Sequence, residues 1–168
     1  MRIELTDFEK KIGVMIAKKR FSNARKNGII NRQISYEDPL EPDLEGTLSE
    51  LAMCKILNVY PEEVFNFNIR SVENKTDNGD LKYKGKCLDV KATKYKSGRL
   101  IATQKNDAVD YLCLMTGSKG EYNFTGAMNA KDFYTEARWG KHDKLRVSCY
   151  CASQEELIPA KNFLTLDI

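Results

Sequence analysis

The chain has 168 residues, 42% hydrophobic and 30% charged, with a formal net charge of +3. That length supports one domain, residues 1–168, with a substantial core, and the composition excludes disordered and fibrous classes. No apolar run approaches the ~20 residues of a membrane span, and the start, Met1-Arg2-Ile3-Glu4-Leu5-Thr6-Asp7, lacks an export signal's apolar core, so a cytoplasmic protein is expected.

Five cysteines, Cys54, Cys87, Cys113, Cys149 and Cys151, are an odd number in apolar or strand contexts, which favours free thiols in a reducing compartment. Cys149-x-Cys151 lacks zinc-knuckle spacing, and the single histidine, His142, excludes two-histidine nuclease designs. Charge is unevenly spread. Residues 1–35 hold nine basic against three acidic residues, residues 36–50 hold six acidic and no basic ones, and residues 75–105 again hold nine basic against three acidic. Two basic segments flanking an acidic one suit a binder of phosphate backbone, although ordinary solvated faces would look the same.

In chain order, Thr6-Asp7-Phe8-Glu9 reads as a capping box. Phe8, Ile12, Met15 and Ile16 recur at helical spacing and Asn27-Gly28 supplies a stop, which predicts an amphipathic helix over 7–26 within an N-terminal region 1–30. Its basic end, with Arg20 and Arg25, either touches nucleic-acid backbone or keeps an outer helix soluble. Residues 31–45, with Pro39 and Pro42, read as a loop. Thr47–Leu57 is apolar almost all round, a buried helix in which Glu50 is the odd member. Thr47-Leu-Ser-Glu50 has the pattern of a second capping box, and the competing reading is that a carboxylate in a buried helix needs a cation.

Val64 to Ile69 alternates as a strand through Phe65, Phe67 and Ile69. The segment 94–99 is basic and carries Tyr95, so Lys94, Lys96 and Arg99 can follow a phosphate backbone or form a plain soluble turn, and Gln104 is a further candidate contact. Asp110–Thr116, nearly all apolar, predicts a central strand buried on both faces, and Glu121–Met128 predicts another. Asn129 caps a helix running to about Ala137. Leu145–Cys151 is a late strand, and Ser153 with Glu156 caps a helical turn ending at Pro159. Trp139 reads as a packing or oligomer contact and His142 as a surface residue. This order predicts an α/β (α+β) domain of three layers, a central mixed β-sheet flanked by helices.

The stretch 78–93 carries the chemistry. With a two-residue period, Leu81 and Tyr83 lie on one face of a short strand, Lys84-Gly85 turns, and Leu88, Val90 and Ala92 continue that apolar face. The other face carries Asp80, Lys82, Cys87, Asp89, Lys91 and Thr93. Two carboxylates on adjacent strands can hold a hard cation such as Mg2+ and leave room for a phosphate. Lys91 would reach the same place to position water or stabilise developing charge. A hairpin salt-bridge cluster is the structural alternative.

Gly79-Asp80, followed after eight residues by Asp89-Val90-Lys91, resembles the PD-(D/E)xK nuclease superfamily. Gly46-x-x-x-Glu50-x-Ala52 matches its upstream acidic helix, so 46–93 would carry the site. Gly79 stands where the eponymous proline would be, and Asp89 is the shorter of the two allowed acids. Of the other acidic-x-Lys triplets, Glu9-Lys10-Lys11 lies in a helical pattern and Glu73-Asn74-Lys75 in a polar segment without alternation. The small size and the Ile158-Pro159-Ala160-Lys161 ending look like small phage-encoded members.

The resemblance implies a restriction-endonuclease-like fold and Mg2+- or Mn2+-dependent cleavage of nucleic acid, DNA ahead of RNA, in a family whose members often work as homodimers. Asp80, Asp89 and the carbonyl of Val90 would be ligands, Lys91 would orient the attacking water, and Glu50 would complete the shell. Lys94, Lys96, Arg99, Gln104, Arg20 and Arg25 would be its nucleic-acid contacts. The alternative is a protein on the same fold that binds nucleic acid without cutting it.

Overall fold

A computed structural model describes residues 1–26, 38–65, 79–142 and 147–167. In chain order these form β1 (Arg2–Glu4), α1 (Asp7–Lys26), α2 (Glu41–Leu57), β2 (Leu81–Tyr83), β3 (Lys86–Thr93), β4 (Leu100–Ala102), β5 (Tyr111–Ser118), β6 (Glu121–Asn129), α3 (Ala130–Phe133), β7 (Trp139–Gly140), β8 (Cys149–Ala152), β9 (Ile158–Pro159) and α4 (Ala160–Thr165). The large sheet runs β1-β6-β5-β3-β2, with β9 also on β6, and a three-stranded sheet runs β4-β8-β7. The β3–β5 pair is parallel and the other pairs are antiparallel, so this is a mixed α+β protein. Among the described residues no helix is long and apolar enough to cross a membrane.

Strand β5 divides two cores. Cys113 and Met115 join the cluster made by α1, α2 and α4 with Leu88, Val90 and Phe163. Leu112 and Leu114 join one made by the small sheet and α3, with Leu100, Phe133 and Ala152. A strand buried on both faces must be apolar at every position, which is what its sequence shows. The hairpin turns at Lys84 and Gly85, both with positive φ, as a two-residue connection between twisted strands requires.

Several elements differ from the sequence expectation. Strand β1 was not expected; three residues are too few to show a period. The predicted capping box of α1 is present, with the Glu9 N–H donating to Thr6 Oγ1 at 3.2 Å and the Thr6 N–H to Glu9 Oε2 at 2.6 Å. Its buried stripe is Gly13, Ile16 and Ala17, however, and Phe8 and Met15, expected to face inward, are each 71% exposed. A β-carbon at Gly13 would lie 2.5 Å from Leu48 Cδ2, so the small residues set this contact.

Helix α2 begins at Glu41, not Thr47. Pro42 sits in its first turn, where no N–H is needed, so that proline is a helix start. The helix expected to reach Ala137 stops at Phe133, and α4 follows Pro159. Strands β4 and β7 were unforeseen, while β8 and the Ser153–Glu156 capping box were expected. In the expected 64–69 strand, Val64 and Phe65 form a turn and 66–69 lie outside the described residues. The described part of the 31–45 loop, residues 38–45, is a turn running into α2.

Candidate functional site

The hairpin brings its acids to the open edge of β3. Leu81 is the last β2 residue in register, opposite Leu88, and Asp80 follows, its N–H donating to the Leu88 carbonyl at 2.8 Å. Gly79, with φ 84°, makes the bend; its β-carbon would lie 2.8 Å from the Leu88 oxygen. Proline, fixed near −65°, cannot adopt that φ, which accounts for glycine here.

Beyond this bend no described strand covers β3 on that side. The Asp80 carboxylate takes the place of a strand, accepting the Val90 N–H at 2.7 Å through Oδ2. The N–H and C=O of one strand residue point to the same side, so the Val90 carbonyl faces the same open edge.

Alternation along β3 puts Asp89 and Lys91 on one face. Lys91 Nζ lies 2.6 Å from Asp89 Oδ1, and Asp89 is 5% exposed. Glu50 arrives from α2 and is 7% exposed. It does not cap a helix: Thr47 is mid-helix, with its hydroxyl donating to the Asp43 carbonyl at 2.8 Å, while Glu50 Oε2 meets Arg20 Nη1 at 2.7 Å. Arg20 Nη2 also donates to the Val64 carbonyl at 3.1 Å. Arg20, expected among the nucleic-acid contacts, is thus turned toward Glu50. It continues the buried stripe of Gly13, Ile16 and Ala17, and a cation at that spacing is the signal that marks it as turned inward.

Glu50, Asp80 and Asp89 act on one another electrostatically, with Arg20 and Lys91 as the opposing charges. Burial, then Glu50 and Asp89, pushes the Asp80 carboxyl well above the usual carboxylate range. Burial also raises Glu50 against the pull of Arg20. Burial works against the Lys91 ammonium, yet Asp89 and Asp80 outweigh it and hold its pKa above the ordinary lysine value. Cys54, raised to about 12 by burial and by Glu50 and Asp80, stays a neutral thiol rather than a nucleophile.

Three carboxylates against two cations leave the cluster one charge negative while all three are ionised. Among the described residues no three His, Cys, Asp or Glu side chains converge into a metal cage. Asp80 and the Val90 carbonyl at the open edge and Asp89 on the adjoining face offer oxygen atoms alone, the donor type of a hard cation that keeps several waters.

Other candidates lie farther out. Lys94 and Lys96 are exposed in the connection after β3, and the carbonyls of Lys96 and Gly98 accept the Gln154 side chain at 2.9 and 2.8 Å, pinning that connection. Arg99 and Gln104 flank β4. Arg25 lies over the Phe21 ring at 4.5 Å. A cleft of ≈310 Å³ opens beside Thr93, Lys94, Glu45 and Lys119, and none of the clustered ionic residues lines it.

The sequence reading passed over Tyr134, just after α3. Its buried hydroxyl makes no hydrogen bond of good geometry, although the Asn106 backbone is near, and it lies within electrostatic reach of Asp89 and Lys91. Burial and the Asp89 charge raise it to about 12, so it remains a neutral donor. Comparison with protein-family models, curated proteins and solved structures finds no match.

Proposed function

We propose that this chain is a divalent-metal-dependent nuclease of the PD-(D/E)xK type on a restriction-endonuclease-like fold, acting on DNA. One observation carries the reading: among the described residues, Glu50, Asp80 and Asp89 lie within electrostatic reach of one another, with Arg20 and Lys91 as the opposing cations. A divalent ion would offset the surplus, and Mg2+ or Mn2+ suits an all-oxygen donor set. A mixed sheet with a parallel β3–β5 pair, covered on both faces, is in keeping with the fold.

Asp80, Asp89 and the Val90 carbonyl would hold the ion. When bound, it supplies Lewis-acid polarisation of a phosphoryl oxygen and a lowered pKa for water. Lys91, kept charged by Asp89, would orient the attacking water or donate to a phosphate oxygen as charge develops. Arg20 holds the buried Glu50 carboxylate, which would complete the donor set. Lys94, Lys96 and Arg99 would follow the backbone of the bound strand. The five free cysteines are in keeping with a reducing cytosol.

The 2.6 Å Asp89–Lys91 pair also favours a second reading, a structural ion cluster in a nucleic-acid binder that does not cut. Incubating circular and linear DNA and single-stranded RNA with Mg2+, Mn2+ or EDTA separates the two. Metal-dependent cutting absent from Asp89→Ala supports the nuclease. A well-folded wild type that cuts nothing, yet shifts DNA in a salt-dependent way unaffected by Asp89→Ala, is the binder.

A further inference from the structure

Several large apolar side chains are exposed, and one of them, Trp139, ends a row of stacked rings. Trp139 on β7 is 44% exposed. Its ring lies 4.8 Å from that of Tyr150 on β8, its register partner, and Tyr150 lies 5.0 Å from Tyr134 in an edge-to-face contact. Tyr134 in turn packs edge-to-face on buried Phe133 at 5.2 Å. An aromatic ladder thus runs from solvent at Trp139 to Tyr134, whose hydroxyl lies within electrostatic reach of Asp89 and Lys91.

The ladder has cations along it. Lys91 lies within electrostatic reach of Tyr134, and Lys105, bonded to the exposed Asp107 at 2.6 Å, within that of Tyr150. Packing accounts for Tyr150 and Phe133 and leaves the Trp139 indole almost half in water at the end of the row. A base in a duplex has both faces covered by its neighbours, whereas an unpaired base can lie on an exposed indole. Stacking of this kind contributes ~1–3 kcal/mol per base and tolerates any base. Two ring contacts separate Trp139 from Tyr134, the span of a few stacked nucleotides at ~3.4 Å each.

We propose that Trp139, backed by Tyr150, is a stacking site for an unpaired nucleobase, through which the protein engages single-stranded DNA next to the Asp80–Asp89–Lys91 cluster. The partner class rests on the nuclease reading, but the stacking does not depend on cleavage.

Trp139 is the chain's one tryptophan, so its intrinsic fluorescence reports this site alone. The test titrates the full-length wild type, in EDTA at fixed salt, with an oligothymidylate and with a blunt hairpin duplex. Saturable quenching by the single strand and little by the duplex is expected. By fluorescence anisotropy of labelled oligothymidylate, Trp139→Ala should bind about ten-fold more weakly or worse, and Trp139→Phe close to wild type. Circular dichroism melting of both variants checks the fold, and the wild-type quenching needs no variant.

Absent quenching, equal quenching by duplex, or unchanged affinity in a folded Trp139→Ala would overturn the proposal. Cleavage is scored separately with Mg2+. A protein that quenches but never cuts refutes the nuclease and keeps the stacking site, and one that cuts without quenching does the reverse.

Discussion

At the β1 edge of the large sheet, Arg2 meets Glu121 at 2.8 Å with side chains 76% and 52% exposed, and Lys10 meets Glu4 at 3.6 Å. At the β3 edge, Arg20 meets Glu50 at 2.7 Å and Lys91 meets Asp89 at 2.6 Å, with the acids 9% and 7% exposed and Asp80 left over. The first edge is balanced and wet, a common way to keep a sheet edge soluble. The second takes charge out of water and leaves it unbalanced, a costly arrangement that stability alone does not explain. Residue type is shared between the edges; solvation and charge count separate a protective edge from a candidate site.

The largest effect should fall on activity. On the proposed reading Asp89 and Asp80 are metal ligands, and Asp89→Ala should lower metal-dependent cleavage on the order of 10³-fold, about 4 kcal/mol of transition-state stabilisation. A plasmid-nicking assay with Mg2+ measures it. Arg2→Ala, at the other edge, should leave nicking unchanged; a comparable loss there would erase the distinction between the edges.

Next comes stability. Arg20→Ala strands Glu50 in an apolar helix packing, and chemical denaturation should show a loss of about 3 kcal/mol. The double variant Arg20→Met/Glu50→Leu should recover most of it, because the pair is removed together. If Arg20→Ala proves nearly neutral, Glu50 is better solvated than its 7% exposure implies.

The legible parts of the molecule are those whose signal is local. Alternation from Leu81 to Val90 around Lys84-Gly85 marks the hairpin, Thr6 and Glu9 mark the start of α1, and the unbroken apolar run in β5 marks a strand covered twice. The illegible parts need a partner distant in sequence. Nothing near Glu50 says that Arg20, 30 residues earlier, will hold it. Nothing in Phe8 or Met15 says that Gly13 and Ala17 win the contact with α2. Strands β4 and β7, three and two residues long, exist because β8 pairs with both. Tyr134 joins the site because the end of α3 brings it within electrostatic reach of Asp89 and Lys91.

A smaller effect tests the surplus charge. The Asp80 pKa in the folded protein lies above its ordinary value of 3.8, so the fold binds that proton more tightly than the unfolded chain does. The contribution of Asp80 to the stability of the metal-free protein should therefore be full below that ordinary value and be lost as pH rises through the folded-state pKa, with Glu50 acting in the same direction. Asp80→Asn keeps an acceptor for the Val90 N–H and removes the charge. In EDTA at pH 8 it should melt higher than wild type, with a flatter melting profile down to pH 5. Mg2+ should reverse the ranking, adding ~2.7 kcal/mol to wild type at a hundred times its Kd and little to the variant. A variant less stable than wild type in EDTA would show Asp80 to be a balanced structural acid.

The smallest effect closes the comparison from the other side. A double-mutant cycle on Arg2 and Glu121 should give a coupling of ~0.2–1 kcal/mol that fades as salt rises, since both side chains stay hydrated and mobile. The same cycle on Arg20 and Glu50 should give a larger coupling that 0.5 M salt barely changes, because little solvent reaches the carboxylate to screen it. Salt response is the cleaner readout, since burial sets it directly while strain from truncation affects both cycles. Equal salt sensitivity would mean that water enters the β3 edge freely, and the surplus charge would then no longer call for a metal.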